Sequence, residues 1–129
     1  MKKLIGIGIL GIFIIGFILF LITSLWIGSD VRRYCKSAKR TYGGDCVSAL
    51  SEMVDDTNMP FRDRNHAVWT LGQLGNPKAL TYLNKYYTGR ISETENLDLM
   101  LSQYEMTKAI KLMQGGLNLS TIVWRHGIK

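Results

Sequence analysis

The side chains best suited to chemistry in this sequence are Cys35, Cys46, His66 and His126. Their spacing does not assemble them. The two histidines stand far apart, with neither H-x-x-x-H nor H-E-x-x-H between them, so no metal site is legible by motif. A Cys35, Cys46 and His66 zinc set lacks the short C-x2–4-C or H-x3–5-H pairs of structural sites, and no metal or cofactor is expected. If Val31–Tyr42 and Cys46–Val54 form a helical hairpin about Gly43-Gly44, Cys46 opens the second helix while Cys35 lies about two turns back along the first. That offset is on the order of 10 Å at 1.5 Å per residue. It exceeds the roughly 7 Å Cα separation a disulfide tolerates, so buried free thiols are the expectation.

Acyl-transfer, phosphate-binding and dinucleotide-binding signatures are absent. Attention therefore passes from catalysis to binding. Arg62 and Arg64 form a charge cluster with Asp63 and Asn65 on the first turn of a helix, and Trp69, Gln73, Tyr82 and Tyr86 follow. The last four lie beside or opposite the main apolar stripes of a helical hairpin, the tyrosines on its second helix. Aromatic rings and an amide on such a face suit protein recognition, and these six residues are the candidate protein-binding set. The competing role is structural: charge clusters are usually solvated faces, and packing against a neighbouring helix is the stronger reading for Trp69. The sequence pI is about 9.5. The basic residues nevertheless crowd into 32–40 and do not line a recognition helix with interleaved aromatics, so no nucleic-acid partner is expected.

The element that must position the set is Asn65–Tyr87. Ala67, Val68, Leu71 and Leu74 make one apolar helical stripe, and Ala79, Leu80, Leu83 and Tyr87 make another. Between them Gly75-Asn76-Pro77 supplies a left-handed C′ residue, an N-cap and a first-turn proline. So short a connection predicts antiparallel helices, with Gly72 allowing their close approach.

The pattern A-x-x-x-L-G-x-L-G-N-P-x-A-L-x-x-L over Ala67–Leu83 resembles the HEAT-like repeat of the phycobilisome-lyase type. Asn76 stands where that family usually has Asp, an exchange that preserves capping. The resemblance covers one repeat, and the flanking helices follow it only in periodicity. It implies an α-solenoid with a protein-binding role and no reaction of its own. Because some relatives of this repeat type attach bilins to proteins, a membrane-associated lyase-like or enzyme accessory subunit presenting a substrate protein is the alternative.

Ahead of this domain, Lys2-Lys3 leads into an uncharged run from Leu4 to Ser29. It is long enough to span the roughly 30 Å hydrocarbon core, longer than the 7–15 residues typical of a signal-peptide core, and Trp26 suits the interface. Residues 1–29 are read as a single-pass anchor, with 4–28 embedded, and 30–129 as the helical domain. Ser24 and Gly28 have small-x3-small spacing, at the edge of the span only. Removing Lys2 and Lys3 from the net charge of +6 leaves +4 on the domain. Much of it lies at Arg32, Arg33, Lys36, Lys39 and Arg40, a segment able to rest on anionic lipid headgroups. Five cations after the span against two before it lean towards a cytoplasmic domain.

The fold expected is all-α: a transmembrane helix, then a short HEAT-like solenoid of two hairpins, Val31–Val54 and Pro60–Tyr87, and a last helix over Leu97–Met113. Val31, Tyr34, Cys35, Ala38 and Tyr42 should form one core stripe, Val47, Leu50, Met53 and Val54 a second, and Leu99, Met106, Ala109, Ile110 and Met113 a third. Asp45 should cap the helix at Cys46. The apolar Ile122-Val123-Trp124 should fold back over the helices rather than stay exposed.

Overall fold

The computed structural model describes residues 2–128, with side chains from residue 6 onward. Met1, Lys129 and the side chains of 2–5, which fall at the ends of the expected anchor and domain, lie outside it. The described residues are all-helical and contain no strand. Helix α1 runs unbroken from Lys2 to Tyr42, 41 residues. It passes Gly28-Ser29 without bending, so the apolar run and the first core stripe share one rod. That rod contains the single described helix long and apolar enough to cross a bilayer, with a mean hydropathy of 2.7 over its apolar window.

Helices α2 (Cys46–Asp55) and α3 (Phe61–Leu74) follow as expected. The Asp45 carboxylate accepts the Ser48 N–H at 2.9 Å, and these backbone bonds hold its pKa below the usual carboxylate value. The hydroxyl of Tyr42, the last residue of α1, donates to Asp56 at the C-terminus of α2 at 2.7 Å. Burial and that acceptor push the Tyr42 hydroxyl up to about 12.

Inside this hairpin the expectation of free thiols is overturned. Cys35 and Cys46 form a disulfide with their Cα atoms 5.2 Å apart. Free thiols would follow if α2 began level with the end of α1. Instead Gly43 and Gly44 take φ of 77° and 69°, and Asp45 is extended. The two left-handed glycines turn the chain back along α1, and Cys46 starts α2 beside Cys35 rather than beside Tyr42.

After α3, Gly75 is left-handed at φ 62°, and the Asn76 side chain accepts the Lys78 N–H at 3.0 Å. The second helix of this central pair is shorter than expected. A 3-10 turn, Pro77–Ala79, leads into a single α turn, α4 (Leu80–Leu83), and the chain leaves helical geometry before Tyr87. The close approach through Gly72 is real, but its partner is not α4. A Cβ at Gly72 would meet the Ala109 Cα at 2.7 Å, so α3 makes its tightest packing against α5 (Gln103–Met113).

Helix α5 starts six residues later than the periodicity predicts, and Leu99 is 71% exposed rather than core. The cause is a set of polar bonds. The buried Asn65 amide donates to the Leu97 and Met100 carbonyls and accepts the Ser102 N–H at 2.7 Å. The Glu95 carboxylate meanwhile accepts from the Gln103 N–H at 2.8 Å and from the Ser102 hydroxyl. An anion at a helix N-terminus satisfies orphan donors and the dipole together. Holding Glu95 there requires 96–101 to loop out. Met106, Ala109, Ile110 and Met113 are buried as expected.

The core gathers α1 residues Cys35 and Ala38, α2 residues Leu50 and Val54, α3 residues Val68 and Leu71, and Met106 of α5. Helices pack pairwise as α1 on α2, α2 on α3 and α3 on α5. The last element, α6 (Thr121–Trp124), returns to α1.

Candidate protein-binding surface

Residues 62, 66, 69 and 73 fall at i, i+4, i+7 and i+11 and so share one face of α3. Three of the six candidates, Arg62, Trp69 and Gln73, are therefore aligned. Between them lies His66, which the sequence reading did not include. Its ring stacks on Tyr34 of α1, with centroids 3.7 Å apart and planes 14° apart, and meets Trp69 edge-on at 4.9 Å. Burial pushes the His66 pKa down, against the opposing pull of Asp30. The neutral ring's Nε2 is sealed from solvent without a hydrogen-bond partner among the described residues.

Arg62 is exposed and pairs with Asp98 at 2.8 Å. Gln73 is engaged at the other end, where its side chain accepts from Asn118 at 2.8 Å and its carbonyl accepts from Arg125 at 3.0 Å. Trp69 is half-buried and lines a cleft of about 260 Å3 with Arg62, Asn65, His66, Leu97 and Glu105. Leu97 and Glu105 also border a second cleft of about 410 Å3 that includes Ile91 and Tyr104. The two clefts join into one surface running from Trp69 through Leu97 to Tyr104. Ile91, Leu97 and Tyr104 are exposed on it, and Glu93 and Arg62 give it charged margins. The polar loop 90–96 and the looped-out 97–101 thus build half of the surface. The sequence reading places binding residues only on the α3 half.

The other three candidates lie elsewhere. Arg64 is about 200° around α3 from Arg62 and is buried, its Nε donating to the Val54 carbonyl at 2.8 Å. Its guanidinium lies 5.1 Å from the Phe61 ring centre and 5.9 Å from that of Tyr86. Tyr86 and Tyr82 flank Lys85, which pairs with Asp55 of α2 at 2.7 Å and sits over the Tyr82 ring. They belong with the α2 side and do not join the Trp69 surface.

The zinc set weighed from sequence is not assembled, because the two sulfurs bond each other and His66 is stacked between rings. Along α1, Arg32, Lys36, Lys39 and Arg40 line a groove of about 420 Å3 closed by Gly127 and Ile128. Arg32 also donates to the Trp124 carbonyl at 3.1 Å, and Arg33 pairs with Asp30.

The small residues at the end of the apolar run are occupied within the chain. Ser24 and Gly28 are buried, and a Cβ at Gly28 would meet the Trp124 Cβ at 2.4 Å. Trp124 is 1% exposed. Gly28, the second of the pair with small-x3-small spacing, is thus the seat of the chain's own tryptophan.

No protein-family model, curated protein or solved structure matches the chain. The HEAT-like resemblance accordingly rests on Ala67–Leu83 alone.

Proposed function

We propose that this chain is a single-pass membrane protein whose helical domain, a short HEAT-like module, binds another protein and performs no reaction of its own. The observation that carries the reading is the continuous Trp69–Leu97–Tyr104 surface. Contiguous exposed apolar side chains around an aromatic anchor, with charged groups at the edge, have the anatomy of a protein interface. The resemblance over Ala67–Leu83 supports the same role.

Two further features complete the proposal. The seat for Trp124 on Gly28 ties the end of the apolar helix into the domain, which supports a retained anchor over a cleaved leader. The Cys35–Cys46 bond supports a domain facing an oxidising compartment, since disulfides are rare where thiols are kept reduced. That bond outweighs the lean given by five cations against two. On this reading the basic 32–40 segment lies beside the bilayer, where Lys36 and Arg40 can meet anionic headgroups.

The test is photocrosslinking in intact membranes from a probe placed at Tyr104, with Glu52 on the exposed side of α2 as control. A discrete adduct at Tyr104 that disappears with Trp69→Ala, and none at Glu52, is expected. Equal labelling from both sites, or none from Tyr104, would retire the surface.

A further inference from the structure

We infer that residues 117–122 form a second contact with the bilayer, an apolar wedge that lies in the headgroup region beside the end of α1. The inference rests on the reading of α1 as a membrane span. Helix α6 meets α1 at Gly28, and Ser24, one turn deeper into the apolar run, is also buried. A residue four positions on is about 6 Å along the axis. The contact thus falls within the last turns of the span rather than beyond them.

The inward side of this segment is fixed. Thr121 and Trp124 are buried, the indole N–H donates to the Ser120 hydroxyl at 3.3 Å, and the Trp124 carbonyl accepts from Arg32. Asn118 is held by Gln73. With these side chains turned to the protein, three large apolar ones face away: Leu117 is 84% exposed, Leu119 53% and Ile122 70%. Among the described residues nothing covers these exposed faces. The adjoining α1 surface is also apolar, with Leu25 exposed.

Lipid is the occupant this placement selects. The apolar face continues the span's own surface at its end, and Arg32 and Arg125 stand where an amphipathic interfacial element keeps its cations. Interfacial elements bury such faces about 5–10 Å into the headgroup and acyl boundary. A second copy of the chain is the other available cover, and the experiment separates the two.

The full chain would be reconstituted into phosphatidylcholine vesicles containing a phosphatidylcholine with a photoactivatable group near the carboxyl end of one acyl chain. Adducts would then be mapped by peptide mass spectrometry. The expected result is lipid adducts on 117–122 as well as on the apolar stretch of α1. A Leu119→Asp, Ile122→Asp variant should lose the adducts on 117–122 and keep those on α1, with an unchanged near-ultraviolet circular dichroism spectrum, because both side chains are exposed. Adducts on α1 alone would overturn the wedge and leave the span standing. Adducts on neither segment would overturn both. A parallel reconstitution with a photoactivatable amino acid in place of Leu119 reads the other cover: a covalent adduct of two chains there, with no lipid adduct on 117–122, would assign the face to a dimer and reject lipid.

Discussion

Arg62 and Arg64 look alike in sequence and differ in every physical respect. Arg62 holds an exposed pair with Asp98, the kind of contact that contributes little. Arg64 is buried with its charge spent on a carbonyl and two aromatic rings, so its loss leaves the Val54 carbonyl unpaired. Arg64→Ala should lower stability by about 2–3 kcal/mol, measured by thermal or denaturant unfolding of the full chain in lipid nanodiscs, while Arg62→Ala should leave the midpoint in place. His66 gives the pH dependence. Burial lowers its folded pKa below the ordinary 6.5, so the unfolded chain binds the extra proton more readily. The stability of the neutral, stacked ring is fully present above pH 6.5 and is lost as pH falls through the lowered folded value. Unfolding midpoints should therefore drop on going from pH 7.5 to pH 5, and His66→Phe should flatten that drop. A slope unchanged in the variant would place the titration elsewhere.

Among the elements, α3 and α5 cross in close contact at Gly72 and Ala109. Gly72→Ala would set a methyl against the Ala109 backbone, which neither helix can yield without moving. A loss of about 1–3 kcal/mol is expected from overpacking, read as a lowered unfolding midpoint; a neutral result would mean the crossing is looser than the geometry indicates. The same contact explains part of what sequence reading assigned elsewhere. Gly72 signals close approach by lacking a side chain, but that signal carries no information on which helix approaches. The late start of α5 has a similar origin. Leu99 continues the helical periodicity of 106–113, and local pattern favours a helix from about Leu97. Asn65, more than 30 residues earlier, and Glu95 capture the polar groups of that segment and α5's first N–H donors, and these bonds prevail over periodicity.

For the whole molecule, the disulfide and the anchor make linked demands on topology. In intact membranes the cysteines should resist a thiol-reactive reagent until reductant is added, and a reporter fused after residue 129 should be active only on the oxidising side. Modification of both thiols without reductant, with the reporter on the reducing side, would restore the cytoplasmic lean and reject the orientation proposed. The sequence by itself determined the all-helical character, the long apolar helix, the Asp45 cap, and the Gly75-Asn76-Pro77 break with its left-handed glycine and capping asparagine. These depend on residues within a turn or two of one another, where periodicity and capping chemistry are local. It also showed the α3 part of the candidate surface, since Arg62 and Trp69 share a helical stripe. Tertiary structure alone decided the rest: that Cys46 is brought back level with Cys35, that Arg64 turns inward, that His66 stacks on Tyr34, and that Trp124 fills the space over Gly28. Each is a contact between distant segments, set by where a loop redirects the chain and which polar groups must be satisfied when helices meet, and neither quantity is written in local spacing.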